Sequence, residues 1–217
     1  MKLFIEWKYK TPTGTEIGFK SEEITPEKAL LLAEDIVKTG RVRQLTLYDQ
    51  YDTTWTIKEL KKYVTKVEAV PHDITVFFDG GFDGNTKKSG LGCAIYFEQG
   101  GKQYRIRKNA LVEELNTNGE AEYAALHLAV KELEFLGVQH MPVIFIGDSQ
   151  GVINQLNDEW PCYDAELLLW IDRIEGDVEK LGINPEFQLI SRKKNGEADH
   201  LATQALMGVE IYSKSEI

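Results

Sequence analysis

Ile74-Thr-Val-Phe-Phe-Asp-Gly-Gly81 decides how the chain is read. Five strand-favouring residues, with no turn former among them, run straight into an acidic residue and two glycines. A buried strand is therefore expected to deliver Asp79 to a place where backbone is closely approached. Downstream, the pattern predicts a glycine-rich loop from Asp79 to Gly90, then strands near 91–97 and 103–109 spaced for an antiparallel meander. A helix over 118–136 and a strand over 143–146 follow. Helices near 149–156 and 164–181, a strand over 186–190 and a last helix over about 196–206 complete the pattern. Hairpins first and strand–helix–strand units afterwards imply an α/β fold, a mixed sheet with helices on both faces.

Upstream, residues 1–70 read as a small α+β domain. A strand over 2–9, a Thr11-Pro-Thr-Gly14 turn and a returning strand over 16–20 make a hairpin. Thr25-Pro26-Glu27 starts a helix that Gly40 ends. Strands near 43–48 and 53–57 and a short basic helix over about 58–64 come next. Pro71 interrupts regular structure just before the decisive strand, so two domains are expected, 1–70 and 71–217. The first interleaves aromatics and bases, among them Trp7, Lys8, Tyr9, Lys10, Tyr48, Trp55, Lys61, Lys62 and Tyr63. Two readings stay open: aromatics packed on a helix with the bases on the wet face, or a surface that stacks on and neutralises nucleic acid.

Composition bounds the function. A net charge of −10 argues against wholesale binding to a polyanion. Residues 1–70 hold 12 Lys and Arg against 11 Asp and Glu, which leaves 13 against 24 of the totals of 25 and 35 for the rest. The acidity thus belongs to the second domain, where carboxylates must repel nucleic acid unless cations intervene. Cys93 and Cys162 are far apart, without metal-ligand or redox-pair spacing, and read as reduced structural thiols. The first residues alternate apolar and charged side chains instead of forming a signal peptide, and no stretch is long enough to span a membrane. A cytoplasmic protein is expected.

Four acids stand out. Asp79 alone is a common turn residue, and Asp148, ending Val143-Ile-Phe-Ile-Gly-Asp148, alone is an ordinary helix cap. Glu122 is sharper. Thr117 and Glu120 have capping-box spacing, which gives Glu120 a structural job and leaves Glu122 without one. Glu122 shares a helical face with Leu126, Ala129 and Leu133, and burying an unpaired charge is very costly. Asp199 shares a face with Ala202 and Leu206 at a helix start, where the helix dipole alone can stabilise it. Jointly, four such acids suit hard divalent cations that take oxygen ligands. The reading requires all four side chains in one cavity, none neutralised by a basic neighbour.

Residues 74–207 resemble the catalytic domain of type 1 ribonuclease H. The matching motifs are Phe78-Asp-Gly-Gly81 with Gly90-Leu-Gly92; Thr117-Asn118 with Ala121-Glu-Tyr123 and Ala125-Leu126; Gly147-Asp-Ser149 with Val152; and Arg192, Asn195 and Ala198-Asp199 with Leu201-Ala202. The resemblance implies a five-stranded mixed sheet with helices on both faces. It implies that Asp79, Glu122, Asp148 and Asp199 ligate two magnesium or manganese ions. It also implies hydrolysis of the RNA strand of an RNA–DNA hybrid. Gly80, Gly81, Asn118 and Ser149 fall at the family's substrate contacts, and Arg192, Lys193 and Lys194 would meet phosphates.

The chain departs from the family pattern in several places. The helix after Trp160-Pro-Cys-Tyr-Asp164 has only Arg173 and Lys180 as bases, where some members carry a basic protrusion. The loop before the last helix, Ser191-Arg-Lys-Lys-Asn-Gly196, lacks a histidine used by some members, and His200 would point elsewhere. Position 119 is Gly in place of the usual second Asn. The alternative function is a nucleic-acid-binding protein with the same fold and weak or no catalysis. A sugar-kinase-type phosphotransferase would need a second such domain, for which the chain is too short.

Overall fold

In the computed structural model, which describes residues 1–217, the chain divides into two units, Met1–Ala69 and Val70–Ile217. In the first, β1 (Leu3–Lys10) and β2 (Glu16–Lys20) form the hairpin. Helix α1 (Pro26–Lys38), strands β3 (Val42–Asp49) and β4 (Thr54–Trp55), and helix α2 (Ile57–Glu68) follow. The antiparallel sheet has the order β2-β1-β3-β4. Ala29 and Ala33 of α1 and Leu60 and Val64 of α2 pack with Leu3, Ile5 and Leu47, and Trp7, Trp55 and Tyr63 lie against that core. β4 is shorter than expected because Thr56 is withdrawn from it to cap α2. Its hydroxyl accepts from Glu59 N, while the Glu59 carboxylate accepts from Thr56 N.

The second unit carries β5 (His72–Asp83), β6 (Lys88–Gln99), β7 (Lys102–Val112), α3 (Asn118–Phe135), β8 (Pro142–Gly147) and α4 (Gln150–Leu156). After these come α5 (Ala165–Leu181), β9 (Asn184–Leu189), a 3-10 turn (Arg192–Lys194), α6 (Gly196–Leu206) and β10 (Tyr212–Glu216). The sheet order is β10-β7-β6-β5-β8-β9, with β8 parallel to β5 and β9 parallel to β8. Its core is built from Val76, Phe78, Ile95, Leu126, Leu133 and Phe145, with Ile174 of α5. No helix is long and apolar enough to cross a membrane.

Two differences from the sequence reading matter. The five expected strands are joined by a sixth, β10, whose Tyr-Ser-Lys-Ser-Glu sequence has no apolar alternation to betray it. It is held from the side: Tyr212 Oη donates to Glu132 Oε1 at 2.9 Å, and Asn109 bonds Val209 O and Ile211 N. Glu132 is only 2% exposed, and Lys108 Nζ lies 2.7 Å from its other oxygen.

The expected glycine-rich loop is the second difference, because only 84–87 form a turn and Gly80, Gly81 and Gly90 lie within strands. β5 continues through Gly80 and Gly81 to Asp83, and Asp79 sits mid-strand opposite Gly92. A Cβ at Gly80 would fall 2.1 Å from Ala121 O in α3. At Gly90 and Gly92 it would fall 2.0 and 2.4 Å from Ala202 O and Ala198 O in α6. The glycines let α3 and α6 lie with their backbones against the sheet, which brings the acids on both helices to the middle of β5.

Candidate active site

Each acid arrives from a different element. Asp79 is on β5, Glu122 in the first turns of α3, Asp148 between β8 and α4, and Asp199 in the first turn of α6. The capping box at Thr117 and Glu120 forms as its spacing predicts, with Glu120 also accepting from Asn116 N at 2.9 Å. Glu122 is left to face β5, where Gly80 N donates weakly to Oε2 at 3.4 Å. Asp148 does not cap α4, since Ser149 occupies that position without a side-chain bond, and Asp148 Oδ2 is buried with no partner.

Oxygens of Asp79, Glu122 and Asp148 lie within 4.8 Å of one another. These three, with Asp199, line one cleft of about 290 Å³ together with Gly80, Gly81, Asn118 and Arg192. Ser149, Lys193 and Lys194 are not in its lining; both lysines are exposed in the 3-10 turn. Asn118 Oδ1 accepts from Phe82 N at 3.2 Å. Asp199 breaks the expectation that no base neutralises an acid, because Arg192 Nη2 stands 3.0 Å from its Oδ1. The pair bridges the cleft mouth, with the Arg192 side chain 82% and Asp199 36% exposed.

Crowding has an electrostatic signature. Burial first, then the charges of Asp148 and Asp199, push Asp79 up to about 7. Burial first, then Asp79 and Asp148, push Glu122 up to about 8. Burial raises Asp148 as well, opposed by Arg192. An acidic trio that holds its protons this firmly is short of positive charge. The donor set fits the implied metal: carboxylate oxygens only, one of them buried without a partner, as hard divalent cations require.

Asn195 is the residue whose role at the site the sequence reading missed. It precedes Gly196 and was read only as a motif position before the last helix. Its side chain is 1% exposed and turns inward instead of capping α6, with Nδ2 donating to Phe78 O at 2.9 Å. It therefore pins the start of α6 to β5 one residue before Asp79. No pattern in the sequence signals that bond, since it spans 117 positions.

The mixed sheet with helices packed on it is a ribonuclease H-like fold, as its likeness to the solved structures below shows. The chain belongs to the reverse transcriptase-like family, whose model matches residues 77–205. It is 40% identical over 205 residues to the uncharacterized protein YpeP of Bacillus subtilis (strain 168), covering 94% of this chain and 90% of that one. Among solved structures it is similar to ribonuclease H1 from the halophilic archaeon Halobacterium salinarum NRC-1. The identity there is 26% and the TM-score 0.55, over 63% of this chain and 98% of that one. It is also similar to LC11-RNase H1 in complex with an RNA/DNA hybrid, at 27% identity and a TM-score of 0.55 over the same shares.

Proposed function

We propose that the second unit is a metal-dependent endoribonuclease hydrolysing the RNA strand of RNA–DNA hybrids. The observation that carries this reading is the convergence of Asp79, Glu122 and Asp148, with Asp148 Oδ2 buried and unpartnered. Asp79, Glu122, Asp148 and Asp199 would hold two magnesium or manganese ions. Such ions, when bound, supply activation of water and charge stabilisation at the attacking and leaving oxygens of a phosphodiester. For Asp199 to take part it must leave Arg192. The pair is exposed, so it contributes little to stability and exchanges readily. Arg192 is then free to meet a substrate phosphate beside Lys193 and Lys194. Gly80 and Gly81 present backbone to the RNA, whose 2′-hydroxyl distinguishes it from DNA. Asn118 and Ser149 supply polar contacts.

A second reading, a nucleic-acid-binding protein with weak or no catalysis, is favoured by the state of the bases on α5. Arg173 and Lys180 are the only two, Arg173 stacking on Trp170 at 4.7 Å from the ring centre and Lys180 lying 2.8 Å from Glu134, so α5 offers no basic protrusion to grip a hybrid. In that case the first unit would make the nucleic-acid contact, with Lys20 over the rings of Phe4 and Tyr48. Incubating a labelled hybrid, with duplex DNA and duplex RNA beside it, in magnesium or manganese separates the two. Cleavage of the hybrid's RNA strand by the parent and none by a folded Asp148→Asn variant supports the nuclease. Salt-dependent hybrid binding without cleavage selects the second reading.

A further inference from the structure

The far end of β5 carries a cluster that the carboxylate cleft does not use. His72 and Glu98 are direct partners across β5 and β6, so their side chains share a face. Asp73, the next residue along, belongs on the opposite face by strand alternation. Its backbone instead sits at φ +51°, in the left-handed region, and the strand pairing shifts register between His72 and Thr75. An irregularity of this kind re-aims a side chain. Asp73 Oδ2 thereby comes 4.0 Å from His72 Nε2, and Glu98 Oε2 lies 3.9 Å from the same nitrogen. One ligand atom from each of the three lies within 4.8 Å of the others.

The imidazole is oriented from its other side. Its Nδ1 lies 3.0 Å from Val70 O, and since a carbonyl only accepts, Nδ1 carries the proton. The other ring nitrogen, Nε2, faces the two carboxylates. A histidine that donates one ring N–H to a backbone carbonyl and offers the other nitrogen to carboxylates has the outer bond typical of metal-ligating histidines. The N···O separations are too long for direct hydrogen bonds. They approach the spacing of donors sharing one ion at about 2.0–2.2 Å from each. Asp73 and Glu98 also line a pocket of about 250 Å³ with Gln103 and Tyr104.

We propose that His72, Asp73 and Glu98 form a binding site for a zinc-class divalent transition-metal ion. The site lies about 20 Å along β5 from Asp79, at the strand's rise of about 3.3 Å per residue. One imidazole and two carboxylates favour zinc, cobalt or manganese over magnesium and calcium, which take oxygen alone. The ion would tie the irregular start of β5 to β6. This site stands apart from the proposed nuclease activity.

The test uses the full-length protein stripped with EDTA and titrated calorimetrically with zinc chloride in excess magnesium. His72→Ala and Glu98→Gln are compared with the parent, and Asp148→Asn controls for zinc in the carboxylate cleft. The parent and Asp148→Asn are expected to take up one zinc equivalent that His72→Ala binds at least about tenfold more weakly. Glu98→Gln loses a smaller factor. Zinc should also raise the parent's unfolding midpoint and shift the ¹⁵N resonance of His72 Nε2. Equal zinc affinity in parent and His72→Ala, or parent binding no tighter than about millimolar, overturns the site. Should His72→Ala fail to fold, Glu98→Gln and the ring resonance decide: an unmoved resonance with unchanged affinity overturns it equally.

Discussion

Replacing Asp79 with Asn isolates what it costs to crowd the acids. Asp79 is 7% exposed, and burial with the charges of Asp148 and Asp199 lifts it from 3.8 to about 7. In the unfolded chain it ionises near its ordinary value. Between those two values the native state holds a proton that the unfolded state has lost, so native stability falls as pH rises from about 4 to about 7. It stays at the lower level above that. A displacement of this size corresponds to at most about 4 kcal/mol. An uncharged amide recovers part of it, since the attraction of Arg192 is lost along with the repulsion. Without divalent metal at about pH 8, Asp79→Asn should therefore be more stable than the parent by about 1–4 kcal/mol. For a unit of about 150 residues this is a rise in unfolding midpoint of about 3–12 °C.

At about pH 3.5 the carboxyl is mostly protonated in both states and the two proteins should unfold nearly together. Magnesium reverses the order at pH 8 by stabilising the parent and not the variant, which lacks a ligand. Thermal unfolding followed by circular dichroism across this range, in EDTA and then in magnesium, makes the measurement. A variant no more stable than the parent at pH 8 in EDTA, or an advantage equally large at pH 3.5, refutes the electrostatic argument for the cleft.

Four further outcomes follow from the structure. Gly92→Ala puts a methyl 2.4 Å from Ala198 O and 2.6 Å from Ala202 N, backbone atoms that yield only if α6 shifts. Denaturant titration should show a loss of at least about 3 kcal/mol. Gly176→Ala, which meets nothing within 4 Å inside α5, should gain about 0.5–1 kcal/mol. Lys108→Met leaves Glu132, 2% exposed, with Tyr212 alone, and should cost about 3–5 kcal/mol by the same measurement. Adding Glu132→Leu should recover most of it. Arg192→Ala should barely move the unfolding midpoint, because its partner pair is exposed. In steady-state hybrid cleavage it should raise KM several-fold with kcat nearly unchanged; a fall in kcat alone would contradict a phosphate contact.

What the sequence disclosed about this site, and what it hid, divides along the range of the interactions. Glu120 and Glu122 are two residues apart on one helix, yet their jobs were separable because a capping box is a local device readable from Thr117 and Glu120 alone. The apolar runs of β5 and β8 and the helical faces of α3 and α6 were legible for the same reason. Gly80 and Gly90 misled because glycine marks a turn in local sequence and also marks a close backbone approach, and only the tertiary partner tells which. β10 escaped because it is held by pairing with β7 and by Glu132, many residues away, and not by any alternation of its own. The Arg192–Asp199 pair was invisible for a subtler reason. The six intervening positions run through a 3-10 turn and into a helix, so no single periodicity relates the two side chains. That pair bears most directly on function, because it sets a guanidinium against one of the four acids where the chemistry would need a divalent ion. Of the other three, Asp79 and Glu122 are buried and Asp148 is half-buried, and none of them makes an ion pair. Their raised proton affinities and the orphan oxygen of Asp148 are what a site would show if its counter-charge were to come from a bound cation, as the proposed function requires.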